Sequence, residues 1–245
     1  MKRQPIATIL GLVFCVGLQA CDAGPTDPMG ASEARSWTLD FPDAWAPVVA
    51  NPFLPLIPGK TLEYESETDE GTEATLVEVT SDTRVILGIT ATVVHDRVFL
   101  EDELIEDTFD WFAQDAEGNV WYLGEETCEY EEGECVSTEG SWEAGVDGAE
   151  PGIVMWADPG AHVGKTYRQE FYEGEAEDMA KVLRLNVPVE VPYGSFTGCL
   201  QTMDWTPLDP GTREHKYYCP GVGLVLEVAP SDGRSRVELI EVTGP

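Results

Sequence analysis

One feature narrows the folds open to this chain more than any other: an ordered series of near-matches at a nearly constant spacing. Gly59-Lys60-Thr61 recurs 105 residues later as Gly164-Lys165-Thr166. Ala74, Leu76, Val77 and Val79 recur at 106 as Ala180, Val182, Leu183 and Leu185, and Val85 and Gly88 as Val191 and Gly194. Trp111-Phe112-Ala113 answers to Tyr217-Tyr218-Cys219 at 106, and Gly118 and Val120 to Gly223 and Val225 at 105. A series that keeps its order with one insertion and one deletion reads as two copies of one supersecondary unit. The copies span 58–123 and 163–228, with an insertion at 124–162 and a final strand at 235–243.

The local pattern within the copies is that of strands. Leu183, Leu185, Val187, Val189 and Val191 alternate with Arg184, Asn186, Pro188 and Glu190, a period-two stripe with one buried face. Pro188 within it marks an edge or a bulge. Ala116-Glu117-Gly118 suits a three-residue hairpin loop with glycine in the left-handed position. A helical turn fits only residues 174–183. A lone meander of this size leaves an apolar face open, so two copies must cover each other or continue into one another. The expected fold is therefore all-β: a duplicated antiparallel meander forming a curved sheet, a half-barrel or a sandwich.

The N-terminus carries different information. Lys2 and Arg3 precede an uncharged run over residues 6–20, which matches an export signal and is short for a membrane span. Leu18-Gln19-Ala20-Cys21 resembles the lipobox of bacterial lipoproteins, in which the cysteine thiol accepts acyl chains after cleavage. The resemblance implies a signal peptide at 1–20, lipid attachment at Cys21, and anchoring at a membrane in the cell envelope. The Pro- and Gly-containing residues 21–51 read as the acylated cysteine and a tether, and 52–245 as one β domain.

Cys128, Cys135, Cys199 and Cys219 then remain, an even number in an oxidising compartment. A hairpin turning at Leu208-Asp209-Pro210-Gly211 would place Cys199 opposite Cys219, because both stand ten residues from its centre at 209. Cys128 and Cys135 enclose Glu-Tyr-Glu-Glu-Gly-Glu, a tight hairpin tip in which Gly133 can take positive φ. Both pairs are expected as disulfides; no C-x₂-C or paired-His spacing points to zinc.

Charge excludes one class of partner. The chain has 46 acids against 14 Lys+Arg, a net charge of −32, which becomes −34 once Lys2 and Arg3 leave with the signal. Nucleic-acid binding needs cations and is set aside. No G-x-S-x-G, H-E-x-x-H, Walker or dinucleotide pattern is present, and His95, His162 and His215 read as ordinary strand or loop residues. Asp107 and Asp110 are expected to flank a strand start, with nothing nearby to raise a pKa. The run Glu125 to Glu134 reads as a solvated hairpin tip. Glu173, Glu175, Glu177 and Asp178, with Gly174 between them, are the candidate calcium ligands, since hard oxygen donors in a bending loop suit that ion. Trp and Tyr residues read as core, or as the lining of a cavity for an apolar or sugar ligand if the sheet stays open.

A wider resemblance rests on FLPLIPGKTLEY, VGKTYRQE, VPYGSF and YYCPGVGLVLE. These are similar to a "PLxxGxxWxY … VPxGxF … YYAxGVGLV" pattern of bacterial envelope lipoproteins that carry no assigned activity. The resemblance covers most of 52–229 and implies a secreted all-β domain like the half-barrels of periplasmic lipoprotein carriers. Cys219 stands where the pattern has a small residue. The preferred expectation is a membrane-anchored, non-enzymatic module that binds a small apolar or cationic ligand or a protein partner. A calcium-binding structural or adhesive protein is the alternative, and a hydrolase with paired carboxylates the remote one.

Overall fold

The computed structural model describes residues 41–229 and 235–245, so the expected signal peptide at 1–20, Cys21 and most of the expected tether lie outside the described residues. The chain first makes a small hairpin, β1 (Val49–Asn51) and β2 (Leu54–Leu56). A long meander follows: β3 (Thr61–Thr68), β4 (Gly71–Ile86), β5 (Ile89–Leu100), β6 (Glu103–Gln114) and β7 (Val120–Glu131). Two short strands, β8 (Glu134–Ser137) and β9 (Trp142–Glu143), fold back on β7, and β10 (Glu150–Met155) pairs beside them. After a 3-10 turn at Pro159–His162 come β11 (Thr166–Arg168) and β12 (Glu170–Phe171). The second meander is β13 (Met179–Val191), β14 (Gly194–Trp205), β15 (His215–Cys219), β16 (Gly223–Val228) and β17 (Arg236–Thr243).

All strands but the first two join one antiparallel sheet in the order β11-β13-β14-β15-β16-β17-β3-β4-β5-β6-β7-β10-β12. The two ends of that order are neighbours in the chain. β11 pairs with β13, β12 pairs with β10, and only Gln169 separates them. One kinked segment thus ties together the two edges, and of the expected curved sheet, half-barrel or sandwich the chain forms a curved sheet nearly closed into a barrel. Closure removes exposed edges that would otherwise invite pairing with other chains. Gly152 on β10 makes the close approach feasible, because a Cβ there would run into the Gln169 carbonyl.

The two meanders lay out their strands alike. Glu78 faces His95 across β4–β5, and Arg184 faces Gln201 across β13–β14. Each member of the second pair stands 106 residues after the first. Pro188 sits at a register shift between Val187 and Val189, as a proline that cannot donate to the ladder requires. Gly118 and Gly133 both take positive φ, at 98° and 80°.

Three local expectations are corrected. Residues 174–178 form a loop and 179–183 are already strand β13, because Met179 onward is captured by β11 and β14. The fifth strand of the first meander, β7, runs to Glu131, past the repeat boundary at 123, so the hairpin tip belongs to the sheet and not to an insertion. Asp107 and Asp110 lie inside β6, not at its start.

The barrel has two unlike ends. At one, the β1–β2 hairpin packs Val49, Leu54 and Leu56 inward. It is pinned by Asn51 Nδ2, which donates to the Gly118 and Trp156 carbonyls, and by Gly221 N donating to Pro52 O. Lys60 Nζ donates to the Val222 carbonyl at the same end, and burial lowers its pKa to about 8. The other end carries the turns at 69–70, 101–102, 132–133 and 172–178, which are rich in Asp and Glu.

Candidate functional site

Strand alternation decides which side chains enter the barrel. On β3, Leu62, Tyr64 and Ser66 turn inward and Glu63, Glu65 and Glu67 outward. Tyr64 donates its hydroxyl to the Leu224 carbonyl on β16, two strands away, which marks this face as the interior. Much of the interior is apolar: Val79, Val94, Phe112, Val182, Leu200 and Leu239 are buried. Toward the acidic end it is not. Asp96, Asp110, Glu125, Glu170, Asp204 and Glu227 are all at most 3% exposed, and Glu73, Glu106, Asp178 and Glu214 are buried as well.

These carboxyls fall into two groups. In the second meander Lys216, itself buried, sits among Asp204, Glu214 and Glu227. Its Nζ is 3.7 Å from Glu227 Oε2 and 3.9 Å from Asp204 Oδ2. Burial works against the ammonium, but Glu227, Asp204 and Glu214 outweigh it and hold the lysine above its ordinary pKa. The acids respond in the opposite sense. Burial, then the charge of Glu227, pushes Glu214 up to about 11. Burial also raises Asp204 and Glu227, with Lys216 pulling both back down.

In the first meander the corresponding place has no lysine. Asp110 faces Glu125 across β6–β7, where the second meander sets Lys216 opposite Glu227. The Tyr122 hydroxyl lies between the two acids, 2.6 Å from Asp110 Oδ1 and 2.8 Å from Glu125 Oε2. Burial lifts Asp110 to about 7, with the Tyr122 hydrogen bond acting the other way. Glu170 of β12 is fully buried beside them, and neither of its oxygens has a hydrogen-bond partner. Burial and the charge of Asp178 raise it well above the carboxylate range; the Trp142 indole is near enough to temper this but makes no hydrogen bond. Glu73 and Glu106 complete the lining, each raised to about 7 chiefly by burial.

The sequence-derived candidates are placed as follows. Cys128–Cys135 and Cys199–Cys219 are both disulfides, the second across a ladder with a Cα–Cα distance of 4.2 Å. Of the proposed calcium ligands, Glu173 and Glu175 are exposed, Glu177 Oε1 accepts from Gly174 N, and Asp178 turns into the barrel. Among the described residues no three of His, Cys, Asp or Glu stand in metal-ligating positions. His95 Nε2 lies 2.5 Å from Asp107 Oδ1 and its ring stacks on Phe109. His162 stacks on Trp156.

Glu125 and Asp110 were misjudged from sequence. Glu125 begins what reads as a solvated charge run yet is 2% exposed, and Asp110 does have a raised pKa. The acid–lysine group at 204–227 gave one usable signal: Glu214, Lys216 and Tyr218 share parity on a strand, so the inward face of β15 carries charge.

No protein-family model and no curated protein matches the chain. A solved structure described as a putative lipoprotein from Parabacteroides distasonis is similar at 10% identity and a TM-score of 0.37, covering 79% of this chain and 99% of that one. No helix among the described residues is long and apolar enough to cross a membrane.

Proposed function

We propose that this chain is an exported envelope lipoprotein, anchored through Cys21, whose barrel is a non-enzymatic binding module for a small cationic ligand. The observation that carries the ligand class is Glu170, fully buried in the acidic half of the interior with neither carboxyl oxygen hydrogen-bonded. Burying an ionised carboxylate without a partner is costly, so a group placed like Glu170 favours whatever brings positive charge to it. Lys216 is the internal precedent: a primary ammonium on a four-carbon stem, fully enclosed by Asp204, Glu227 and Glu214. The acid-rich turns add a negative field that draws cations toward that end of the barrel.

The hydrolase reading gains no support from the Asp110–Glu125 pair. Asp110 and Glu125 approach each other, but Tyr122 fills the space between them and all three are buried. A hydrolytic pair needs that space for a water and a scissile bond.

The probe is putrescine, titrated calorimetrically into the mature chain at low and high salt. Saturable binding that weakens with salt and is lost in Glu170→Gln is expected; no heat with putrescine at either salt refutes the cationic-ligand reading. Anchoring is tested separately: Cys21→Ser is expected to move the chain from the membrane to the soluble fraction, and unchanged membrane retention refutes it.

A further inference from the structure

The two ends of the barrel differ in the charge of their connecting segments. At the end plugged by the β1–β2 hairpin, the segments 52–53, 57–60, 115–119, 156–165 and 220–222 hold three acids, Asp115, Glu117 and Asp158, against Lys60 and Lys165. At the far end the described segments 69–70, 101–102, 132–133, 172–178 and 206–214 hold eleven acids against Arg213.

The segments at the plugged end are bonded into one surface. Gly221 N donates to Pro52 O, and Asn51 Nδ2 donates to the Gly118 and Trp156 carbonyls. Ala157 N donates to Asn119 Oδ1, and Lys60 Nζ to Val222 O. Large apolar side chains stand exposed on that surface. Val48 leads into β1, Val163 follows the Pro159–His162 turn, and Phe41 rests its ring against Trp45 and Trp121. Trp45 in turn pairs with Asp115 in the β6–β7 connection. Lys165 is exposed two residues beyond Val163.

Phe41 is also where the described residues begin, twenty positions after Cys21. The chain therefore enters the barrel at the plugged end. A twelve-residue strand such as β5 is about 40 Å long. With the acidic end set against a bilayer, the segment from Cys21 would have to run back along that length; with the plugged end down it need not. Charge discriminates in the same sense. An anionic lipid surface repels the end with eleven acids far more than the end where acids and lysines nearly balance. Aromatic and aliphatic side chains beside a lysine suit the headgroup region.

We propose that the plugged end is a membrane-docking face, seated through Phe41, Val48 and Val163 on the lipid surface that holds Cys21, with the acidic end turned to the aqueous compartment. The inference rests on the anchoring reading and goes beyond it by fixing which face meets lipid.

The mature chain, 21–245, is coupled through its Cys21 thiol to a maleimide lipid in vesicles of phosphatidylcholine and phosphatidylglycerol; the other four cysteines of that chain are held in disulfides. Hydroxyl-radical footprinting compares Phe41, Val48 and Val163 with Val136, an exposed residue of β8 beside the 132–133 turn. The same chain capped with N-ethylmaleimide and kept free of vesicles is the reference. Oxidation of Phe41, Val48 and Val163 relative to Val136 is expected to fall at least about threefold on the vesicles, as for side chains taken into the headgroup region. The double variant Phe41→Glu/Val163→Glu, changed only at exposed positions, is expected to lose the protection of Val48. No relative fall, a larger protection of Val136, or full protection of Val48 in the double variant overturns the docking face. Protection that appears without vesicles and grows with chain concentration assigns the face to a second copy and overturns it equally. Because the coupling is chemical, the footprint judges the face alone, whereas unchanged cellular membrane retention of Cys21→Ser removes the anchoring reading.

Discussion

Replacing Lys216 by Met tests the interior where its energetics are best defined. The ammonium is 2% exposed at its side chain and faces Glu227 and Asp204 carboxylates that are 0% and 3% exposed. At an effective dielectric of about 20, each contact near 4 Å contributes about 4 kcal/mol of attraction, much of it offset by desolvation of the charges. Removing the lysine leaves the offset in place and takes the attraction away, so the loss is about 3–5 kcal/mol. For a chain of this size each kcal/mol moves the midpoint by about 2–4 °C, which gives a fall of about 6–20 °C. Met preserves most of the stem volume, so the change reports charge rather than a cavity. Calorimetric melting at pH 8 and pH 5.5 is the assay. The loss should be largest at pH 8 and shrink at pH 5.5, where Asp204 and Glu227 can take up protons instead. A loss below about 1 kcal/mol at pH 8, or an equal loss at both values, would refute the placement of Lys216 among ionisable partners.

Three other outcomes follow from the same coordinates. Gly152→Ala places a methyl against the Gln169 carbonyl at the barrel seam, and is expected to cost more than about 2 kcal/mol in denaturant unfolding; a neutral result would mean the seam is open. Removing the Cys199–Cys219 bridge as a double serine variant frees a loop of 20 residues and is expected to cost about 3 kcal/mol by chemical denaturation, while an unchanged midpoint would show that the bridge does not form. Val136→Ser, at a residue 54% exposed, should stay within about 0.5 kcal/mol of wild type in the same assay.

Turn chemistry and strand parity were legible in the sequence where they depend on a few neighbouring residues. The turn at 209 placed Cys199 opposite Cys219, and the ladder Leu200↔Tyr218 and Gln201↔Tyr217 has that register. Gly118, Gly133 and Pro188 each did what their backbone preferences require. Closure was not legible, because the segment that achieves it is two short strands around Gln169. The acidic interior was hidden for a different reason. In Thr108-Phe109-Asp110-Trp111-Phe112, hydropathy predicts Phe109 inside and Asp110 outside, yet Phe109 is 37% exposed and Asp110 1%. Apolar residues occupy both parities there, so the pattern alone cannot choose a face. Bulges add to this: β6–β7 shifts register between Asp110 and Phe112, which resets which β7 residues turn inward.

Carboxyl side chains line the inside of a nearly closed barrel, and burial raises Asp110, Glu73 and Glu106 to about 7. A pH titration of side-chain carboxyl carbons by NMR reads this most directly, with Asp110→Asn assigning one resonance. A small set of resonances, Asp110 among them, is expected to have midpoints near 7, well apart from the bulk of the acids. Should every Asp and Glu titrate as a free carboxylate does, those side chains face water and the interior described above does not exist.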